Sequence, residues 1–205
     1  GEKMIERYTL SKMGEIWHDQ NKFNKMLKIE VLACEALAKL GKIPKQALEK
    51  IKKKASFNLE EIKKIEEKTK HDVVAFIVNL GESLGPEARY LHFGLTSSDL
   101  LDTSLSVQCI EASDILISDL KKLSDCLIQK AKKYKDTVCI ARTHGVHAEP
   151  ITFGLKLAVW FDETRRNLER LSQAKENLRV GKLSGAVGTY VHIDPFVEEY
   201  VCNKL

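Results

Sequence analysis

The 205 residues are 43% hydrophobic and 30% charged, with four prolines and eleven glycines, which is enough apolar material for a core without disulfide or metal and leaves long stretches free of helix breakers. The net charge of +4, from 33 basic and 29 acidic residues, is small and spread along the chain, which argues against a nucleic-acid binder with basic residues gathered on one face beside aromatic partners. No apolar run approaches the ~18 residues of a membrane span, and the five scattered cysteines, Cys34, Cys109, Cys126, Cys139 and Cys202, lack the close pairs of metal sites and read as reduced packing residues.

Gly1-Glu2-Lys3 ahead of Met4 reads as an expression remnant and is left out of the fold reasoning. From Met4 to Tyr8 the chain runs into polar sequence with no signal peptide, so a cytoplasmic protein is expected. From Lys22 to Leu40 the apolar residues Phe23, Met26, Leu27, Val31, Cys34, Leu37 and Ala38 fall at helical spacing, and Gly41 stops the helix. Pro44 suits the first turn of a short helix through Lys54, whose Lys50, Lys52, Lys53 and Lys54 read as an exposed face. Asn58 with Glu61 resembles a capping box, and Asp72 is expected to cap a helix from Val73 to Leu84 that Gly85-Pro86 ends.

Thr96 to Asp99 reads as Thr-x-x-Asp ahead of the longest helix. Along it Leu105, Cys109, Ala112, Leu116, Leu120, Leu123, Leu127 and Tyr134 recur at three- and four-residue steps. A helix of about 55 Å at ~1.5 Å per residue belongs in a bundle. After a break from Asp136 to Pro150, Leu157, Phe161, Thr164, Leu168, Leu171 and Leu178 form a second seam, like that of a coiled coil. Gly181 to Gly188 is a glycine-rich connection, and Asp194-Pro195 opens a further helix.

Strand-like alternation is scarce, with Tyr190-Val191-His192-Ile193 the best example. The fold expected is therefore all-α: a small helical domain over 4–110, then over 111–205 the first long helices of a bundle whose remaining helices are missing.

His71, His92, His144 and His147 stand where the helical pattern breaks, the places where a rigid scaffold presents binding and catalytic groups. The surroundings of His71, His92 and His144 distinguish them from ordinary structural histidines such as His18. Thr69-Lys70-His71-Asp72-Val73-Val74-Ala75-Phe76, Leu91-His92-Phe93-Gly94-Leu95-Thr96-Ser97-Ser98-Asp99 and Arg142-Thr143-His144-Gly145-Val146-His147-Ala148-Glu149-Pro150 together resemble the adenylosuccinate lyase family of the fumarase and aspartase superfamily. The resemblance runs from Arg7-Tyr8 to the Gly181-to-Thr189 segment. It implies a β-elimination that releases fumarate from adenylosuccinate and from a succinylated carboxamide ribotide, with no cofactor, in a cytoplasmic homotetramer whose active sites draw on three subunits.

Such chemistry needs a base, fixed donors for the charge that builds on a carboxylate, and an acid for the departing nitrogen. Histidine suits the last step, since its unperturbed pKa of ~6.5 lies near neutrality. By the resemblance, His144 is the general acid and His71 its proton-assisting or positioning partner. His92 is an anionic-group contact, Thr96 and Ser97 hold a carboxylate at a helix N-terminus, Arg7 and Tyr8 contact phosphate, and Lys70 and Asp72 touch substrate. His147 reads as structural. The family's base, a serine in a Ser-Ser-x-Met-Pro-x-Lys-type segment, does not occur in the sequence, nor do its downstream lysine and glutamate, so the chain alone is expected to be inactive.

Other readings are weaker. Gly181 to Thr189 lacks the Gly-x-x-x-x-Gly-Lys order of a phosphate loop, and no dinucleotide fingerprint occurs. His144 and His147 stand three apart with Glu149 close by, but no third ligand at metal spacing is evident. A sister enzyme, such as an argininosuccinate lyase or a carboxymuconate cycloisomerase relative, is disfavoured by Arg7-Tyr8 and Lys70-His71-Asp72. A helical assembly module with structural histidines is the alternative from another class.

Overall fold

The computed structural model describes residues 5–205. It contains α1 (Ser11–Trp17), α2 (Asp19–Lys39), α3 (Lys45–Lys54), α4 (Leu59–Thr69), α5 (Asp72–Leu84), a 3-10 turn (Gly85–Tyr90), α6 (Ser97–Lys133), β1 (Val138–Thr143), β2 (Val146–Thr152), α7 (Phe153–Asn177) and α8 (Pro195–Cys202). These elements form two compact units. The first comprises the described residues up to Cys109 together with Arg179–Leu205, and the second is Ile110–Leu178.

In the first unit α2 is the central element. His18 starts it, its ring Nδ1 accepting the Gln20 N–H at 3.2 Å. Gly41, with φ at 73°, ends it, because Gly41 N–H reaches Ala38 O at 3.0 Å and Lys42 N–H reaches Leu37 O at 2.9 Å, a Schellman closure. Between these ends Met26, Ile29, Ala33, Ala36 and Leu37 recur at helical spacing and are buried. They meet Phe76 and Leu80 of α5, Ile51 of α3 and Ile62 of α4 in one core. Phe23 stacks on Phe76 at 5.3 Å, and Phe57 meets both rings at 5.9 Å.

The expected start of α4 is present, with Asn58 Oδ1 accepting from Glu60 and Glu61 N–H. At α5 the cap is His71 rather than Asp72, which forms the first helical residue. Residues 179–205, grouped with the bundle when read by sequence, pack into the first unit: Leu183, Ile193, Val197 and Val201 are all buried in its core. Tyr190 to Ile193 is not a strand. Tyr190 takes a left-handed φ of 58° and donates its hydroxyl to Glu198 at 2.7 Å.

In the second unit the stretch read as a break is an antiparallel hairpin. Val138 faces Thr152 and Thr143 faces Val146, with a bulge between Ile140 and Arg142. His144 and Gly145 form its two-residue loop with φ of 49° and 75°, the signs a type I′ turn demands. A proline within β2 and the exposure of most of the ribbon obscured the period-2 pattern. Behind the hairpin Leu127, Ala131 and Leu157 form a small core with Tyr134, Ala158 and Phe161. Gly154 permits this packing: a Cβ there would lie 2.5 Å from Ala131 O. The two apolar seams are only partly covered. Leu116 and Leu123 of the α6 seam, and Leu155, Val159 and Trp160 beside the seam of α7, are all more than 45% exposed.

Between α2, α3 and α8 of the first unit, Glu35 gathers Lys52 at 3.0 Å, the Tyr200 hydroxyl at 2.8 Å and Lys204 at 3.1 Å. Burial works to raise its carboxyl, but the hydrogen bonds from Lys52, Tyr200 and Lys204 outweigh that and hold it at about 2. Its depressed pKa contributes stability that is fully present above the ordinary carboxyl value of ~4.3 and is lost as the pH falls toward 2. Glu35→Gln is expected to cost about 1–2 kcal/mol at neutral pH, allowing for solvent screening of the lysines. Urea unfolding of the two proteins should converge as the pH is lowered through that interval.

Candidate functional site

The histidine positions are built by element ends. α4 closes with Lys70 in the left-handed region, φ 54°, its N–H on Glu66 O at 2.8 Å. Thr69 then braces the next residue: its hydroxyl donates to His71 O at 3.2 Å and accepts from His71 N–H at 3.4 Å. His71 caps α5, its ring Nδ1 accepting the Val74 N–H at 3.4 Å. That bond makes Nδ1 the acceptor of the neutral ring, so Nε2 carries the proton. Nε2 lies 3.4 Å from Ser97 Oγ at the start of α6. Asp72 pairs with Lys22 at 3.4 Å and accepts Val73 N–H at 2.8 Å. His71, Asp72 and Ser97 are thus brought together although 26 positions separate His71 from Ser97.

His92 also takes a left-handed φ, 55°. Its backbone N–H donates to Glu30 Oε2 at 2.8 Å, and its ring Nδ1 lies 2.7 Å from Glu30 Oε1. Glu30 has no solvent exposure, in the middle of α2. The sequence reading did not find Glu30. An acidic residue on the apolar stripe of α2, beside Ile29 and Ala33, was the available signal.

Thr96 N–H donates to Asp99 Oδ2 at 3.0 Å, the return bond of a capping box. Asp99 is fully buried and takes three further donors from the glycine-rich connection: Lys182 Nζ at 2.6 Å, Ser184 N–H at 3.3 Å and Gly185 N–H at 3.1 Å. Thr103 extends the clasp, accepting Lys182 N–H at 3.0 Å and donating to Lys182 O at 3.1 Å. At Gly94 the fit is tight. Its φ is 74°, and a Cβ there would come within 2.5 Å of His192 O. The glycine-rich segment therefore secures the first turn of α6, whose amides and dipole favour an anion near Thr96 and Ser97. Neither Asp99 nor Lys182 was among the expected site residues.

Arg7 and Tyr8 lie on an exposed 3-10 turn (Glu6–Tyr8), the guanidinium 4.9 Å from the Tyr8 ring centroid. Their described side-chain contact is with each other. His144 belongs to the second unit, at the exposed tip of the hairpin, and His147 is exposed on β2 opposite Arg142. Four non-glycine residues among those described have positive φ, Lys70, His92, His144 and Tyr190. Three of them are candidate site residues, and such backbone strain is tolerated where the surroundings hold it in place, functional sites above all.

A family described as lyase matches residues 6–205. The chain belongs to that lyase family. It is 55% identical over 202 residues to the adenylosuccinate lyase of Bacillus subtilis (strain 168), covering 98% of this chain and 47% of that protein. To the adenylosuccinate lyase of Staphylococcus saprophyticus it is 50% identical over 202 residues, again covering 98% of this chain and 47% of that protein. The chain thus spans about half the length of the curated relatives it matches.

Solved structures agree on the fold. A fumarate lyase from Mesorhizobium sp. BNC1 superposes with a TM-score of 0.88 at 27% identity, over 94% of this chain and 47% of that one. A 3-carboxy-cis,cis-muconate lactonizing enzyme from Pseudomonas putida gives 0.89 at 30% identity, over 96% and 47%. The fold is predominantly helical, with the hairpin as its only sheet among the described residues. No helix among them is long and apolar enough to cross a membrane.

Removing the Asp99 carboxylate strips the acceptor from three backbone amides and one ammonium at once. Asp99→Ala is expected to lower stability by about 3 kcal/mol, the low end for a broken buried pair because Lys182 retains access to water. Urea unfolding measures the loss, and hydrogen exchange at Ser184 and Gly185 should accelerate before that of the α2 core.

Proposed function

We propose that this chain forms part of an adenylosuccinate lyase, which eliminates fumarate from adenylosuccinate to leave AMP and does the same to a succinylated aminoimidazole carboxamide ribotide in purine biosynthesis. The observation that carries the reading is the His71 to Ser97 pair at the mouth of α6, in a chain 55% identical to an enzyme of that name. The weaker identity of 30% to a muconate lactonizing enzyme makes a sister activity the lesser reading.

In this reaction the proton beside a substrate carboxylate is removed, and charge builds on that carboxylate as the C–N bond breaks. Thr96, Ser97 and the first-turn amides of α6 are positioned as fixed donors for it, and a preorganised donor set stabilises charge only as it develops. His144 protonates the departing nitrogen. The hairpin tip suits that role, because His144 is exposed there, in a two-residue loop of fixed geometry. His71 binds and orients the substrate through Nε2, with Nδ1 committed to the α5 amide. Lys70 and Asp72 flank it as substrate contacts, His92 meets an anionic group, and Arg7 and Tyr8 take the phosphate. No cofactor is required.

The base lies outside this sequence. The complete enzyme is a cytoplasmic homotetramer, and the uncovered apolar faces of α6 and α7 support burial against other helices.

In the complete protein, His144→Ala should lower kcat for fumarate release by about 10²–10⁴-fold, with the helical circular dichroism unchanged. Turnover unaffected by both His144→Ala and His71→Ala would discard the lyase reading in favour of an assembly module. The 205-residue chain by itself should release no fumarate above its own His144→Ala control.

A further inference from the structure

Glu30 is costly where it stands. A carboxylate with no solvent exposure, among Met26, Ile29, Ala33 and Cys34 on the core face of α2, is unfavourable unless fully paired, and an apolar residue would fill the same space without that cost. Its charge is felt locally: burial first, and then the Glu30 carboxylate, push the Cys34 thiol up to about 12. Both of its oxygens are committed to one residue 62 positions away. Oε2 accepts the backbone N–H of His92 and Oε1 meets the ring Nδ1. The backbone bond secures a left-handed residue, and the ring bond fixes the imidazole about its last torsion.

We propose that Glu30 is a positioning residue for His92: it accepts the Nδ1 hydrogen, and in the substrate complex Nε2, also carrying hydrogen, donates to an anionic group of the substrate. This rests on the reading of the site as a lyase site. A carboxylate only accepts, so Nδ1 must carry hydrogen and Nε2 must be the nitrogen available to a ligand. Without this hold, Nδ1 loses its acceptor and the ring turns about its last torsion. Second-layer carboxylates fix imidazole orientation in this way where the other ring nitrogen binds.

Glu30→Gln separates positioning from packing, because the amide is nearly isosteric. The His92 backbone N–H still requires an acceptor, so the amide oxygen turns to it and the amide NH2 faces Nδ1. Nδ1 must then accept, which leaves the ring a neutral donor at Nε2 alone. Nitrogen-15 spectra of histidine-labelled chain should show His92 with hydrogen on Nδ1 in the unaltered protein and with none on Nδ1 in Glu30→Gln. Absence of hydrogen from Nδ1 in the unaltered protein overturns the proposal, and that measurement does not depend on the variant folding.

In the complete protein, Glu30→Gln should raise KM by about tenfold or more, the effect of losing one charge-assisted bond, while kcat changes far less. Competitive inhibition by fumarate and by AMP identifies the anion: weaker inhibition by fumarate assigns a carboxylate to His92, and weaker inhibition by AMP a phosphate. A variant with the altered tautomer but unchanged KM and unchanged inhibition by both ligands overturns the role. Were the complete protein to release no fumarate at all, the lyase reading would fail while the tautomer result would still decide whether Glu30 fixes the ring.

Discussion

The first unit depends on one buried carboxylate. Asp99 has no access to water, and it receives four donors, one from the residue before α6 and three from a segment more than eighty positions later. A charge in that position is tolerable only when every lone pair is engaged. The clasp therefore orders both partners together: the first turn of α6 acquires its capping bond, and the glycine-rich connection acquires a fixed path. α8 follows from that path, and its Val197 and Val201 complete the core that α2 began. Among the described residues no buried side-chain polar atom lacks a partner, so this ionic interior is fully satisfied.

The same logic recurs at His71 and His92, each held by a neighbour through hydrogen bonds rather than packing. His71 is held by Thr69 and by the α5 amide that it caps. His92 is held by Glu30. The left-handed conformations of Lys70 and His92 follow a helix end and a tight turn, and hydrogen bonds to Glu66 and Glu30 offset their cost. The rigid helices supply the reference frame, and the short strained connections aim the side chains. Under the proposed chemistry this division matters, because a proton donor or oxyanion contact misplaced by about 1 Å loses much of its effect.

Helical periodicity made most of the architecture legible in advance. The α2 stripe, the Asn58 cap, the Gly41 stop and the Asp194-Pro195 start are local chemistry, and local chemistry is readable from neighbours in sequence. The hairpin was not, because its strands are exposed on most positions, a proline interrupts one of them, and a bulge shifts the register between Ile140 and Arg142. The placement of residues 179–205 was hidden for a different reason. It is decided by Asp99 and Thr103 reaching across long separations, and no window of sequence contains both ends of such a bond. His71 was found through its motif, whereas Glu30, which holds His92, was concealed as one polar residue on an apolar helix face.

The apolar residues left uncovered on α6 and α7 fit this picture. Leu116, Leu123, Leu155, Val159 and Trp160 are spaced for helical contact, yet they face outward in this chain, whereas Leu127 and Leu157 on the same helices are buried against each other. The second unit has a core of three buried residues, small beside the continuous core of the first. A helix as long as α6 gains little from so few internal contacts, since helices draw most of their stability from a buried face. The stripe on α6 is therefore used unevenly: Leu127 and Ala131 are buried within the chain, while Leu116 and Leu123 remain exposed.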